Sequence, residues 1–182
     1  MYDLCDSVFS CNVMPPESGR ADEKKGIILI FNSNRQKVVY VSRTDVMNPL
    51  SAFSRHGFEL DGADWPSVEH YYQGMKFEDP EIRESIRTAE HPKDAQQIAR
   101  KNKRKMRRDW KTVRQTMMTR AVYIKCRTHP EVAAALLATK DLDIFENSQY
   151  DYYWGCGRDQ RGENVYGKIL MNVREKLREI GA

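Results

Sequence analysis

The chain has 182 residues, 40% of them hydrophobic and 31% charged, with a mean hydropathy of −0.73. That suits one domain with a real core and a well-solvated surface, and no apolar run approaches the roughly 20 residues of a membrane span. The net charge of +4 is a mild basic excess, unevenly placed.

Residues 1–25 read as an N-terminal appendage and residues 26–182 as the domain. The appendage holds Met14-Pro15-Pro16-Glu17-Ser18-Gly19 and then Asp22-Glu23-Lys24-Lys25, a composition that favours turns. Its first residues lack the basic start and apolar stretch of a secretory signal, so a cytoplasmic protein is expected. Cys5, Cys11, Cys126 and Cys156 match no CxxC pair or zinc framework and are read as free thiols. His56, His70, His91 and His129 are scattered, so neither a metal nor a cofactor is expected.

Ile27-Ile28-Leu29-Ile30-Phe31 is a β-branched run that predicts a buried strand. Val38 to Val41 predicts the returning strand of a hairpin. Phe58 to Leu60 predicts a third short strand before a turn at Asp61-Gly62. After Pro66 the patterns become helical, over 67–77, 80–88, 93–103, 111–127, 130–138 and 164–180. Pro80, Pro92 and Pro130 each suit the first turn of a new helix. The predicted class is α+β: a mainly helical single domain with a small antiparallel sheet near its N-terminus.

Two segments carry chemistry. At 100° per residue, Val68, Tyr71, Tyr72 and Met75 make a core stripe, while Glu69, Gln73 and Lys76 make a polar stripe flanked by apolar groups on both sides. Such a stripe can line a pocket, offering a carboxylate, an amide and an amine along about 10 Å of helix. A carboxyl group can move protons and an amine can attack a carbonyl carbon. From spacing alone, a surface helix with its charges paired elsewhere is the alternative. The second segment runs from Asp151 through Trp154-Gly155-Cys156-Gly157 to Asn164, a plausible N-cap for the last helix. Its glycines, its aromatic rings and a helix N-terminus could receive a phosphate with a base or ribose stacked beside it. The alternative is a Gly-rich connection with Trp154 buried beneath it. Trp65 and Trp110 add to the rings available for stacking. Between the two segments, residues 100–114 hold nine Arg or Lys against Asp109 alone, either a phosphate-attracting block or a solvated face.

These residues, taken in order, resemble the NADAR (YbiA-like) family. The elements are Leu50-Ser51-Ala52-Phe53, Trp65 to Phe77, Asp109-Trp110 with Arg114 and Met118, Asp151 to Gly157, Gly162 to Gly167, and Leu170-Met171. The resemblance covers most of residues 26–180. It implies a YbiA-like fold and cleavage of an N-glycosidic bond between a base-like amine and a ribose carrying phosphate or ADP. Implied substrates are ADP-ribose on guanine of nucleic acid and ribosylamino-pyrimidines of the riboflavin pathway. It also implies Lys76 and Glu69 at the reaction centre, with Ser51, Phe53, Trp65, Gln73, Trp110, Asp151, Trp154, Gly155 and Asn164 holding the substrate. A Lys76 Schiff base and direct attack by water activated by Glu69 are both open routes. A non-catalytic reader of ADP-ribose or nucleic acid is the other class of function. Three positions depart from the family pattern: Ala52 for the usual Asn, Cys126 for Phe and Tyr166 for Leu. The first bears on substrate choice if that Asn contacts ribose or base.

Overall fold

The computed structural model describes residues 38–181. The expected appendage over residues 1–25 and the strand expected over Ile27 to Phe31 lie outside them. In chain order the elements are β1 (Val38–Val41), β2 (Phe58–Leu60), β3 (Ala63–Trp65), α1 (Val68–Gly74), α2 (Pro80–Arg87) and α3 (Pro92–Lys101). A 3-10 turn follows at Lys103–Lys105, then α4 (Trp110–Thr128), α5 (Pro130–Leu137), β4 (Asp143–Glu146) and α6 (Val165–Glu179). The fold is α+β and mainly helical. Among the described residues no helix is long and apolar enough to cross a membrane.

The local chemistry explains the boundaries. Asp61 and Gly62 both take positive φ, 55° and 73°, which a two-residue hairpin between β2 and β3 requires. Pro80, Pro92 and Pro130 open α2, α3 and α5 as expected. Ser67, Asp79 and His91 cap α1, α2 and α3 with side-chain acceptors.

The structure adds a pairing that the sequence pattern does not reveal. Strand β1 lies parallel to β4, Val38 opposite Asp143 through Val41 opposite Glu146. Alternation turns Val39, Val41, Ile144 and Glu146 inward together. A carboxylate is thereby delivered to the interior beside the end of β1.

One core cluster gathers residues from all four strands and from α1, α4, α5 and α6, and a smaller one sits under α2 and α3. Gly74 belongs to this packing: a Cβ there would come within 2.6 Å of the Trp65 ring. Cys126 and Cys156 are both buried free thiols.

Lys125 is fully buried on α4, and burial pushes its pKa down to about 8. Its ammonium donates to the Pro49 and Ser51 carbonyls at 2.8 Å each and to Ser54 Oγ at 3.1 Å. It thus ties the loop over residues 48–54 to the helix. Lys125→Met should remove three hydrogen bonds, leaving the Pro49 and Ser51 carbonyls only the Ser54 hydroxyl as a donor, and cost on the order of 3 kcal/mol of unfolding free energy. Urea unfolding measures this, and a loss below about 0.5 kcal/mol would contradict the tie.

Candidate active site

Helix α1 is shorter than its pattern suggests, ending at Gly74. Lys76 and Phe77 continue in tighter bonds, to the Gln73 and Gly74 carbonyls. Asp79, with ψ of 116°, then leaves the helical region, as a residue before proline tends to. Lys76 therefore sits on the turn beyond α1. Its carbonyl accepts from the Arg107 N–H at 2.9 Å, which fixes the turn against the entry to α4.

The Lys76 amine is only partly exposed. Its Nζ lies 5.1 Å from the Tyr72 ring centre and 5.8 Å from that of Trp110. Tyr72 also packs against Trp154, at 5.4 Å, and Trp154 against Tyr153, at 4.9 Å. The Arg114 guanidinium lies 3.4 Å over Tyr153. Burial lowers the Lys76 pKa to about 8. Glu69 opposes that shift, whereas Arg43 and Arg100 reinforce it.

Glu69 is completely buried in the first turn of α1. One oxygen accepts from Gln73 Nε2 at 2.6 Å and Gln96 Nε2 at 2.8 Å. The other meets Arg43 Nη1 at 3.4 Å. Arg43 reaches on to Asp151 with Nη2, at 3.2 Å. The remaining oxygen of Asp151, Oδ1, accepts from the Tyr153 and Trp154 N–H groups, so it shapes the loop that carries the rings. Glu146 accepts from the Arg43 and Ser148 N–H groups, and burial pushes its carboxyl pKa up. Among the described residues, Arg43 Nε, Gln73 Oε1 and Arg114 Nε are buried without a hydrogen-bond partner. A separate hollow of about 580 Å³ between α4 and α6, lined by Thr116, Tyr123 and Lys176 among others, contains none of these groups.

The structure thus brings together Lys76, Glu69, Gln73, Trp110, Asp151 and Trp154. The other expected residues lie in the surrounding core and loops. Ser51 Oγ donates to the Arg43 carbonyl at 2.7 Å and accepts from the Phe53 N–H. Phe53 packs edge-on to His91. Trp65 is a core residue, its indole N–H donating to the Leu60 carbonyl at 3.0 Å. Gly155 lies so near Glu146 that a Cβ would collide with the carboxylate. Asn164 precedes α6 in a left-handed conformation, φ 51°, and does not cap it with its side chain. That amide instead bridges β4, accepting from the Glu146 N–H and donating to the Ile144 carbonyl. The first N–H groups of α6 are bonded to the Tyr153 and Trp154 carbonyls.

Of the departures, Ala52 is fully buried and its carbonyl accepts from the Glu69 N–H at 3.0 Å. The Tyr166 hydroxyl donates to the Leu50 carbonyl at 2.7 Å, and Cys126 is a core residue. Sequence reasoning misses Arg43, Glu146 and Gln96. Each is an isolated polar residue in its own segment, and only the fold collects them.

Residues 31–178 match the model of the NADAR domain. The chain belongs to the NADAR family. It is 41% identical to N-glycosidase Npun_R5314 of Nostoc punctiforme, over 72% of this chain and 86% of that one. It is 36% identical to N-glycosidase YbiA of Escherichia coli K12, over 76% of this chain and 86% of the relative. It is also 38% identical to a riboflavin biosynthesis protein of Vibrio vulnificus, over 71% of this chain and 35% of that longer protein. The NMR structure of E. coli YbiA superposes with a TM-score of 0.71 at 34% identity, covering 79% of this chain and 86% of YbiA.

Proposed function

We propose that this NADAR chain is an N-glycosidase that hydrolyses the bond between a base-like amine and a ribose carrying phosphate or ADP. Lys76 is the nucleophile and Glu69 carries the protons. The observation that carries the reading is a partly buried amine on two aromatic faces, its pKa lowered to about 8, beside a wholly buried carboxylate. The names of the relatives support the reaction class.

In the proposed reaction, the Glu69 carboxylate takes the proton from the ribosylamine nitrogen and passes it to the ring oxygen as the C1′–O bond breaks, leaving an imine at C1′. Neutral Lys76 adds to that carbon, the C1′–N bond to the base amine breaks, and the amine departs with a proton. Water then adds to the lysine Schiff base, and its collapse returns Lys76 and an aldehyde sugar. Trp110 and Trp154 are buried in the core cluster, so they form the wall behind Lys76 and Arg43 rather than open stacking faces, and Gln73 and Asp151 offer polar contacts to the sugar. Ser51, Phe53, Trp65, Gly155 and Asn164 serve substrate binding from further back, through the backbone that they hold.

Two substrates test the proposal. Purified protein is incubated with an oligonucleotide carrying ADP-ribosylated guanosine and, separately, with a phosphoribosylamino-pyrimidine. Release of free ADP-ribose or of ribose phosphate is expected. Tight binding without release would instead indicate a reader.

The basic block bears on substrate size. Lys103, Arg104 and Lys105 are exposed, and the Arg107 backbone bonds to that of Lys76, so the block borders the candidate site. Replacing Lys103, Arg104 and Lys105 by Ala should weaken binding of the oligonucleotide and flatten its salt dependence. It should leave the pyrimidine substrate nearly unaffected. Unchanged affinity for the oligonucleotide would make the block a solvated face.

A further inference from the structure

We propose that Arg43 is a positioning residue for this reaction: its guanidinium spans Glu69 and Asp151, takes up the Glu69 charge, and so leaves the Lys76 amine without an ion-pair partner. The inference rests on the reading of Lys76 as nucleophile, and it answers a difficulty in that reading. A carboxylate close to a lysine favours the ammonium, which cannot attack carbon.

The geometry removes the difficulty. The Arg43 backbone is held from both sides, its N–H by Glu146 and its carbonyl by Ser51 Oγ and the Phe53 N–H. From that fixed base the side chain lies against the Trp154 ring, at 5.8 Å, and reaches both carboxylates. Both oxygens of Glu69 are then engaged, one by Arg43 and the other by the Gln73 and Gln96 amides. Among the described residues no carboxylate forms a salt bridge with Lys76, which rests on the Tyr72 and Trp110 rings.

The charged groups facing Lys76 are Glu69 from α1, Arg43 from the segment after β1 and Arg100 from α3. Arg114 of α4 acts on the neighbouring Tyr72, and Asp151 and Glu146 face Arg43 itself. Removing the Arg43 charge therefore acts twice in one direction. It takes a cation away from Lys76 and frees the Glu69 carboxylate to pair with the ammonium. Both favour the charged amine. A residue that merely filled space would leave no such mark on the titration of Lys76.

The test labels Lys76 in the ligand-free protein with a small acylating reagent across a pH series, read by peptide mass spectrometry. In the wild type the labelling midpoint should lie at about 8. In Arg43→Met it should rise by at least about one pH unit, so that tenfold less free amine is present at neutral pH. The acid limb of kcat should move with it. A midpoint that is unchanged or lower in folded Arg43→Met overturns the proposal. If Arg43→Met does not fold, Arg43→Gln serves, because its amide can still donate a hydrogen bond to a carboxylate but carries no charge. Its midpoint should also rise, and an unchanged one again overturns the proposal. Labelling needs no turnover, so the two readings separate. A raised midpoint with an active Lys76→Arg enzyme would sink the nucleophile and keep the coupling to Arg43. An unmoved midpoint with an inactive Lys76→Arg enzyme would do the reverse.

Discussion

Lys76→Arg should lower turnover by about 1000-fold or more while leaving the fold intact, because it removes the nucleophile and not the charge. Arginine keeps a cation over the Tyr72 and Trp110 rings, so substrate affinity should change little. It is always protonated and cannot form the imine. The same reasoning gives the pH dependence. The folded Lys76 pKa is lowered to about 8, so the free amine grows as pH rises through that value. At pH 7 roughly a tenth of Lys76 is free, and kcat should climb about tenfold per unit below the midpoint if attack limits the rate. A lysine of ordinary pKa would be far scarcer as the free amine at pH 7. The pH–rate profile of the wild type and the turnover of the variant check the two statements.

Glu69→Gln should lower turnover by about 100-fold or more, the scale of losing a positioned acid–base group. The substitution is close to isosteric, but both Glu69 oxygens are acceptors in the native site, from Gln73, Gln96 and Arg43. A glutamine retains one acceptor oxygen and presents an NH₂ group where the other stood. The variant should therefore be somewhat less stable as well as slow, and its melting curve must accompany its kinetics. The Lys76 labelling midpoint should fall in this variant, because Glu69 is the group that raises it. A folded variant with near-normal turnover would remove Glu69 from the mechanism.

The helices are legible in the sequence because their signals are local. Pro80, Pro92 and Pro130 mark starts that the structure keeps, and the Asp61-Gly62 turn follows from two adjacent residues. The end of α1 is less so, because the pattern through Phe77 remains compatible with a helix. The bonding tightens at Lys76 and Phe77, several residues before the extended Asp79 that precedes Pro80. Strand β4 escapes notice, being four residues long with an acidic residue at each end. Its partner β1 lies far away in sequence, and no short-range pattern encodes a parallel pairing.

The candidate site divides the same way. Glu69, Gln73 and Lys76 are legible from helical spacing, and the family motif adds Trp110, Asp151 and Trp154. Arg43 and Glu146 are joined across 103 residues by the β1–β4 pairing, and neither carries a motif of its own. The loop before α6 shows the converse. Asn164 reads as a cap from its position, yet its side chain serves β4, 18 and 20 residues back.

The central claim, that an N-glycosyl bond is cut through a covalent link to Lys76, is tested most directly by trapping. Borohydride added during turnover should reduce the Schiff base to a stable amine and fix the sugar to the protein. Peptide mapping should then place the added mass on Lys76, and the adduct should be missing from Lys76→Arg. Product release in the presence of borohydride with no adduct on any lysine, together with an active Lys76→Arg enzyme, would contradict the account. Water activated by Glu69 would then be the attacking group.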